Sequence, residues 1–174
     1  KLLGSLPLLV YLDSFRYPLA GEFSMITDLA RINRIPGDWG LEVETLAEVY
    51  RNCSSKRICQ VELSETYDHK HQPLSAGDPS TGLMKMAIDI AKAIFRNLAI
   101  EGTIVSQSLI NTLLITYLRT AQDTIKRYHD DAALNGLFFD RHQETIAVEA
   151  FTRAIQIAGK EFQENPLYSP LIPN

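Results

Sequence analysis

The chain has 174 residues, 45% of them hydrophobic and 22% charged, which suits one soluble globular domain with a sizeable core. Its net charge is −4 and no stretch clusters Lys and Arg, so a nucleic-acid partner is not expected. A small phosphate-bearing ligand stays open, because two or three placed basic groups suffice for one.

The two cysteines, Cys53 and Cys59, are too few for a secreted disulfide scaffold, which points to the cytoplasm. Their spacing does not suit a zinc knuckle, and two small apolar residues near a strand is the plainer reading. The strongest apolar run, Leu6 to Leu12, is far short of the roughly 20 residues that span a bilayer, so no membrane partner is expected. No small-residue cleavage site follows it, as a signal peptide would require. Lys1-Leu2-Leu3-Gly4 lacks a starting Met and reads as the interior of a domain.

In chain order, Leu6 to Phe15 reads as a short helix, and Pro18-Leu19-Ala20-Gly21-Glu22 as a turn. Phe23, Ile26, Leu29, Ala30 and Ile32 recur at helical spacing until Pro36-Gly37-Asp38 breaks the pattern. Leu41 to Arg51 forms the next helix. Ile58 to Leu63 alternates apolar and polar residues and reads as a strand, followed by a polar loop to Ser80. Beyond that point the periodicity is helical throughout. Leu83, Ala87, Ile90, Ile94 and Leu98 form one stripe, with Gly102 as a cap after its end. Leu109, Leu113, Tyr117, Ala121, Ile125 and Tyr128 form a second. Asp140 and Gln143 have capping-box spacing at the start of a third helix, which carries Ile146, Phe151, Ile155, Ala158 and Phe162. Three prolines after Asn165 give an extended tail. The expectation is an α/β chain, few strands followed by long amphipathic helices, divided into residues 1–80 and 81–174.

Two clusters could carry chemistry. Tyr67-Asp68-His69-Lys70-His71-Gln72 follows the expected strand, and imidazole and carboxylate suit divalent metals. It reads equally as a solvated loop that contains two histidines. In Asp38-Trp39-Gly40-Leu41-Glu42-Val43-Glu44, Gly40 allows close backbone approach to a ligand and Trp39 could stack on a ring. Glu42 and Glu44 point different ways on a helix, so at most one faces a given site, and replacing Glu44 is expected to do little. Acidic residues in a first helical turn also simply favour the helix dipole.

The order of P-L-A-G-E (Pro18 to Glu22), D-W-G-L-E-V (Asp38 to Val43), Q-V-E-L (Gln60 to Leu63) and D-H-K-H-Q-P-L (Asp68 to Leu74) resembles the C-terminal half of the glucosyl-3-phosphoglycerate synthases. The motifs cover about residues 1 to 100, and the later helices resemble the family only in kind. The resemblance implies the acceptor-binding part of a GT-A glycosyltransferase, which moves glucose from a nucleotide-sugar donor, usually UDP-glucose, to the 2-hydroxyl of 3-phosphoglycerate, a small phosphorylated acceptor, with retention. It implies a divalent metal, Mg or Mn, held by an upstream D-x-D aspartate and by His69, the histidine four residues before Pro73. It matches Glu42 to a glutamate near the transferred sugar, and places Gly21, Trp39, Gly40 and His71 at the substrates. His71 stands where other branches carry Asn. No D-x-D occurs in the 174 residues, so the isolated chain is expected to be inactive.

Two other readings compete. A metal-dependent hydrolase would use H-x-H after a strand, but His129 and His142 sit beside helices. A helical interaction domain without chemistry accounts for the second half and leaves the first eighty residues unexplained. The three amphipathic stripes offer more apolar surface than the small first half covers, so a homodimer is expected.

Overall fold

The computed structural model describes residues 6–34, 36–63 and 72–167. They form α1 (Pro7–Asp13), α2 (Thr27–Ile32), α3 (Leu41–Asn52), α4 (Gly82–Ile100), α5 (Gln107–Leu134) and α6 (Arg141–Glu164), with one 3-10 turn at Ser55–Arg57.

The expected α/β architecture does not form: among the described residues there are six helices and no strand. The segment Ile58–Leu63 explains the misreading. Alternation does favour an extended backbone, and Ile58 adopts it at φ −111° and ψ 131°. A strand also needs a ladder of backbone hydrogen bonds to a neighbour. Here the Arg16 backbone N–H donates to the Gln60 side chain at 2.7 Å, and the Arg16 guanidinium pairs with Glu62. Those contacts tether the segment through its side chains. Val61 and Leu63 are each 70% exposed, so no face of it is buried.

The core lies between α4, α5 and α6. Met84, Ile88 and Phe95 of α4 meet Ile110 of α5 and Ala150, Ala154, Ala158 and Phe162 of α6. The alanines repeat every fourth residue and leave a shallow groove that lets α4 approach closely. Phe95 and Phe162 close it with ring centroids 6.0 Å apart. Gly159 serves the same purpose toward α5: a Cβ there would come within 2.9 Å of Ile110. The α4 residues in the core are Met84, Ile88 and Phe95; of the expected stripe, Leu98 is buried and Ala87 packs against the core, while Leu83, Ile90 and Ile94 are only partly buried. Both sets are apolar in sequence, and the small residues of α6 decide which one is covered more fully.

Local chemistry sets the ends. The Asp140 carboxylate accepts from the N–H groups of His142 and Gln143, at 3.0 and 3.1 Å, and so satisfies two donors that α6 leaves open. Ser106 Oγ accepts from Leu109 N at 3.2 Å at the start of α5. The helix expected from Phe23 is shorter than its apolar spacing suggests, since α2 spans only Thr27–Ile32. Ahead of the core helices in the chain, α1 packs on α3, and α3 packs on α4. Tyr11 of α1 sits between Phe15 and Tyr50, with ring centroids 5.0 Å from each.

Candidate functional site

The site is built on the first turn of α3. Its entry is the Asp38-Trp39-Gly40 turn, in which the Asp38 carboxylate accepts the Gly40 N–H at 2.8 Å. This bond mimics a backbone turn and sets where the helix begins. Gly40 is the N-cap and is buried. A Cβ on it would lie 2.8 Å from the Ala93 Cβ and 3.5 Å from the Asp89 carbonyl oxygen. The close approach that Gly40 makes is therefore to α4. Trp39 beside it is 43% exposed, so its ring is open to a stacking partner.

Glu42 and Gly21 come together. Gly21 has φ +81°, a conformation that glycine adopts without strain. The Glu42 Oε1 lies 3.7 Å from the position of a Cβ on Gly21. The P-L-A-G-E turn and the D-W-G-L-E-V helix start thus share one corner of the molecule, although 15 residues separate them in sequence. Glu42 is half-buried there and its carboxylate reaches the turn.

Glu44 does point away from Glu42, and it is buried in an ion pair. It is 2% exposed, and its Oε1 accepts from Arg96 Nε at 2.8 Å and from Arg96 Nη2 as well. This buried pair joins α3 to α4. Arg51, in the last turn of α3, extends the seam: its guanidinium bonds Glu48 at 2.9 Å and Glu101 at 3.1 Å, and also reaches Asn97. Arg96 escapes a reading by pattern because charges inside an apolar helix are usually taken as its solvated face. Asp89, Lys92 and Arg96, at helical spacing along α4, were the available signal. Lys92 and Asp89 are also buried, and Lys92 Nζ bonds Glu161 of α6 at 2.6 Å.

His69 and His71 lie outside the described residues. The chain just after them is firmly anchored. Leu83 N donates to the Pro73 carbonyl at 2.9 Å, and Leu74 packs on the core. Gly82, at φ +57°, makes that approach possible, since a Cβ would meet the Pro73 oxygen at 2.3 Å. Just upstream, the Asp78 carboxyl is held below the usual carboxylate range by hydrogen bonds from the Ser80 hydroxyl and backbone. Among the described residues, no three metal-ligating side chains cluster. None of the helices in the described residues is long and apolar enough to cross a membrane.

The chain is similar to the glucosyl-3-phosphoglycerate synthase of Persephonella marina, with 52% identity over 172 residues, 99% of this chain and 42% of that protein. The chain is homologous to part of glucosyl-3-phosphoglycerate synthase. The synthase of Methanococcoides burtonii is 48% identical over 161 residues, 91% of this chain and 39% of that protein. The chain thus spans about two fifths of the length of the curated synthases it matches. No family model matches it, and no solved structure gives a significant match.

Proposed function

We propose that this chain is the acceptor-binding part of a cytoplasmic glucosyltransferase that moves glucose from UDP-glucose to the 2-hydroxyl of 3-phosphoglycerate, with retention. The observation that carries the reading is identity of about one half with two such synthases along nearly the whole chain. The meeting of Gly21 and Glu42 supports it, because it gathers two of the motif segments at one corner.

In this reading the Glu42 carboxylate faces the transferred sugar, and Trp39 and the Gly21 turn border the substrates. A carboxylate held on a helix and half out of water can stabilise positive charge that develops at the anomeric carbon. His71 takes the acceptor side in place of Asn. A divalent metal, Mg or Mn, would offset the charge of the departing nucleoside diphosphate. His69 is its proposed ligand from this chain, chosen by its register to Pro73. The remaining ligand, a D-x-D aspartate, is not in these 174 residues, so the chain alone is proposed to be inactive.

A homodimer is part of the same proposal. Ile115, Leu134, Leu137 and Phe138 are between 67% and 90% exposed, which leaves apolar surface on and after α5 for a second copy. Light scattering on the full-length protein that gives a monomer mass refutes this element alone. The activity is tested by incubating the full-length protein with UDP-glucose, 3-phosphoglycerate and Mg or Mn. Formation of glucosyl-3-phosphoglycerate supports the reading, and donor consumption with no acceptor-dependent product overturns it.

A further inference from the structure

We propose that Arg96 is a positioning residue that sets the orientation of Glu42 by acting through Glu44. The inference rests on the reading of Glu42 as the sugar-facing carboxylate.

The first turn of α3 touches α4 at two points. Gly40 sits on Ala93, and Glu44 is bound by Arg96. The points are one turn apart on each helix, because residues three and four apart share a face. One contact would leave this turn free to rotate about it. Two fix both its height along α4 and its rotation about the helix axis. Backbone contact defines the first point and admits no adjustment, since the Gly40 position has no room for even a methyl group. The second point is defined by a guanidinium. Nε and Nη2 of Arg96 both donate to the same carboxylate oxygen of Glu44. The side chains are 12% and 3% exposed, so solvent screens the pair little.

Glu42 precedes Glu44 by two residues and therefore projects from roughly the opposite side of the helix, about 200° away. It is turned from α4 and toward Gly21. A carboxylate carried about 7 Å from the helix axis moves by roughly 1 Å when its turn rotates by about 10°. A misplacement of that size at a reacting centre costs up to about a hundredfold in rate. Lysine cannot reproduce the arrangement, because its ammonium is a point charge on a flexible stem and lacks the planar fork. The far end of α3 is held separately by Arg51 on Glu101 and Asn97, so loss of the Arg96 contact frees the first turn and not the whole helix.

The test uses the full-length protein with Arg96→Lys, Glu42→Gln and the double variant. For each, kcat and both KM values are measured well below its melting temperature. Arg96→Lys is expected to lower kcat about tenfold, with the donor KM changed by less than about twofold. In the Glu42→Gln background the same change is expected to cost nothing further, because the group it orients is already gone. A purely structural role would lower the melting temperature and leave kcat intact, and that result overturns the inference. A tenfold loss that persists in the Glu42→Gln background overturns it too, while leaving the reading of Glu42 standing. Wild-type kcat in Glu42→Gln overturns that reading, and this inference with it. Should Arg96→Lys fail to fold, Glu44→Asp retracts the carboxylate by one methylene and is expected to show the same loss and the same non-additivity. Wild-type kcat in Glu44→Asp contradicts the proposal.

Discussion

The Glu42 carboxylate faces Gly21, with Oε1 3.7 Å from where a Cβ on residue 21 would sit. That separation is ordinary van der Waals contact, so a methyl group fits beside the carboxylate. The backbone does not favour it, since Gly21 has φ +81°. Gly21→Ala is therefore expected to cost about 1–2 kcal/mol through backbone strain rather than collision. Denaturant titration gives the figure, and a loss near zero would mean that the turn relaxes out of the left-handed region.

Glu44 is the acidic residue of this helix start whose outright loss should cost the fold the most, in addition to its effect on Glu42. Glu44→Ala leaves the Arg96 guanidinium buried without its carboxylate, and breaking such a pair costs about 3–5 kcal/mol. Replacing both partners together, as Glu44→Met with Arg96→Met, should recover most of that loss, because no charge is then stranded. Urea melts of the three proteins decide it. A double variant as unstable as Glu44→Ala would show that the seam depends on something other than the charge pair.

Tyr11 offers a pH-dependent test of the packing of α1 on α3. Burial, and to a lesser degree the nearby Cys53 thiol, pushes its phenol up to about 12. The folded state thus holds the proton more tightly than the unfolded chain, whose phenol titrates near 10. The resulting stability is fully present below about pH 10 and is lost as pH rises toward 12. The Tyr11 hydroxyl is also buried with no hydrogen-bond partner among the described residues. Tyr11→Phe should therefore be neutral or stabilising at pH 7, and should flatten the alkaline loss. Thermal melts from pH 7 to about 11 check both halves, and a destabilised variant at pH 7 would show that the hydroxyl has a partner.

Helices were legible where periodicity and caps agreed. Asp140, three residues before Gln143, marked the start of α6 correctly, because the capping carboxylate acts locally. The covered face of α4 was legible only in part, since Leu98 and Ala87 of the expected stripe meet the core but Leu83, Ile90 and Ile94 are only partly buried. Leu83 and Met84, or Ala87 and Ile88, are apolar on adjoining lines, and only the alanine groove of α6 chooses between them. Ile58–Leu63 carried the local signal of a strand without the neighbour that makes one. At the site, the motif segments and their order could be read, but the approach of Gly21 to Glu42 is a tertiary contact that no local pattern marks, and how α3 lies on α4 is another. That packing is set by Gly40 on Ala93 and by Arg96 on Glu44. Glu44 resembles any acidic residue in a first helical turn, and its burial appears only once α4 is in place.

Under the proposed function, the helix start at Gly40 presents Glu42 to the sugar being transferred. The most direct test is kcat of full-length Glu42→Gln with UDP-glucose and 3-phosphoglycerate, compared with the unaltered protein. Glutamine keeps the shape and removes the charge. The account predicts a fall of about two decades, as when a preorganised polar group is withdrawn from a developing charge, with substrate KM values largely kept. A kcat within about twofold of the unaltered protein would contradict it.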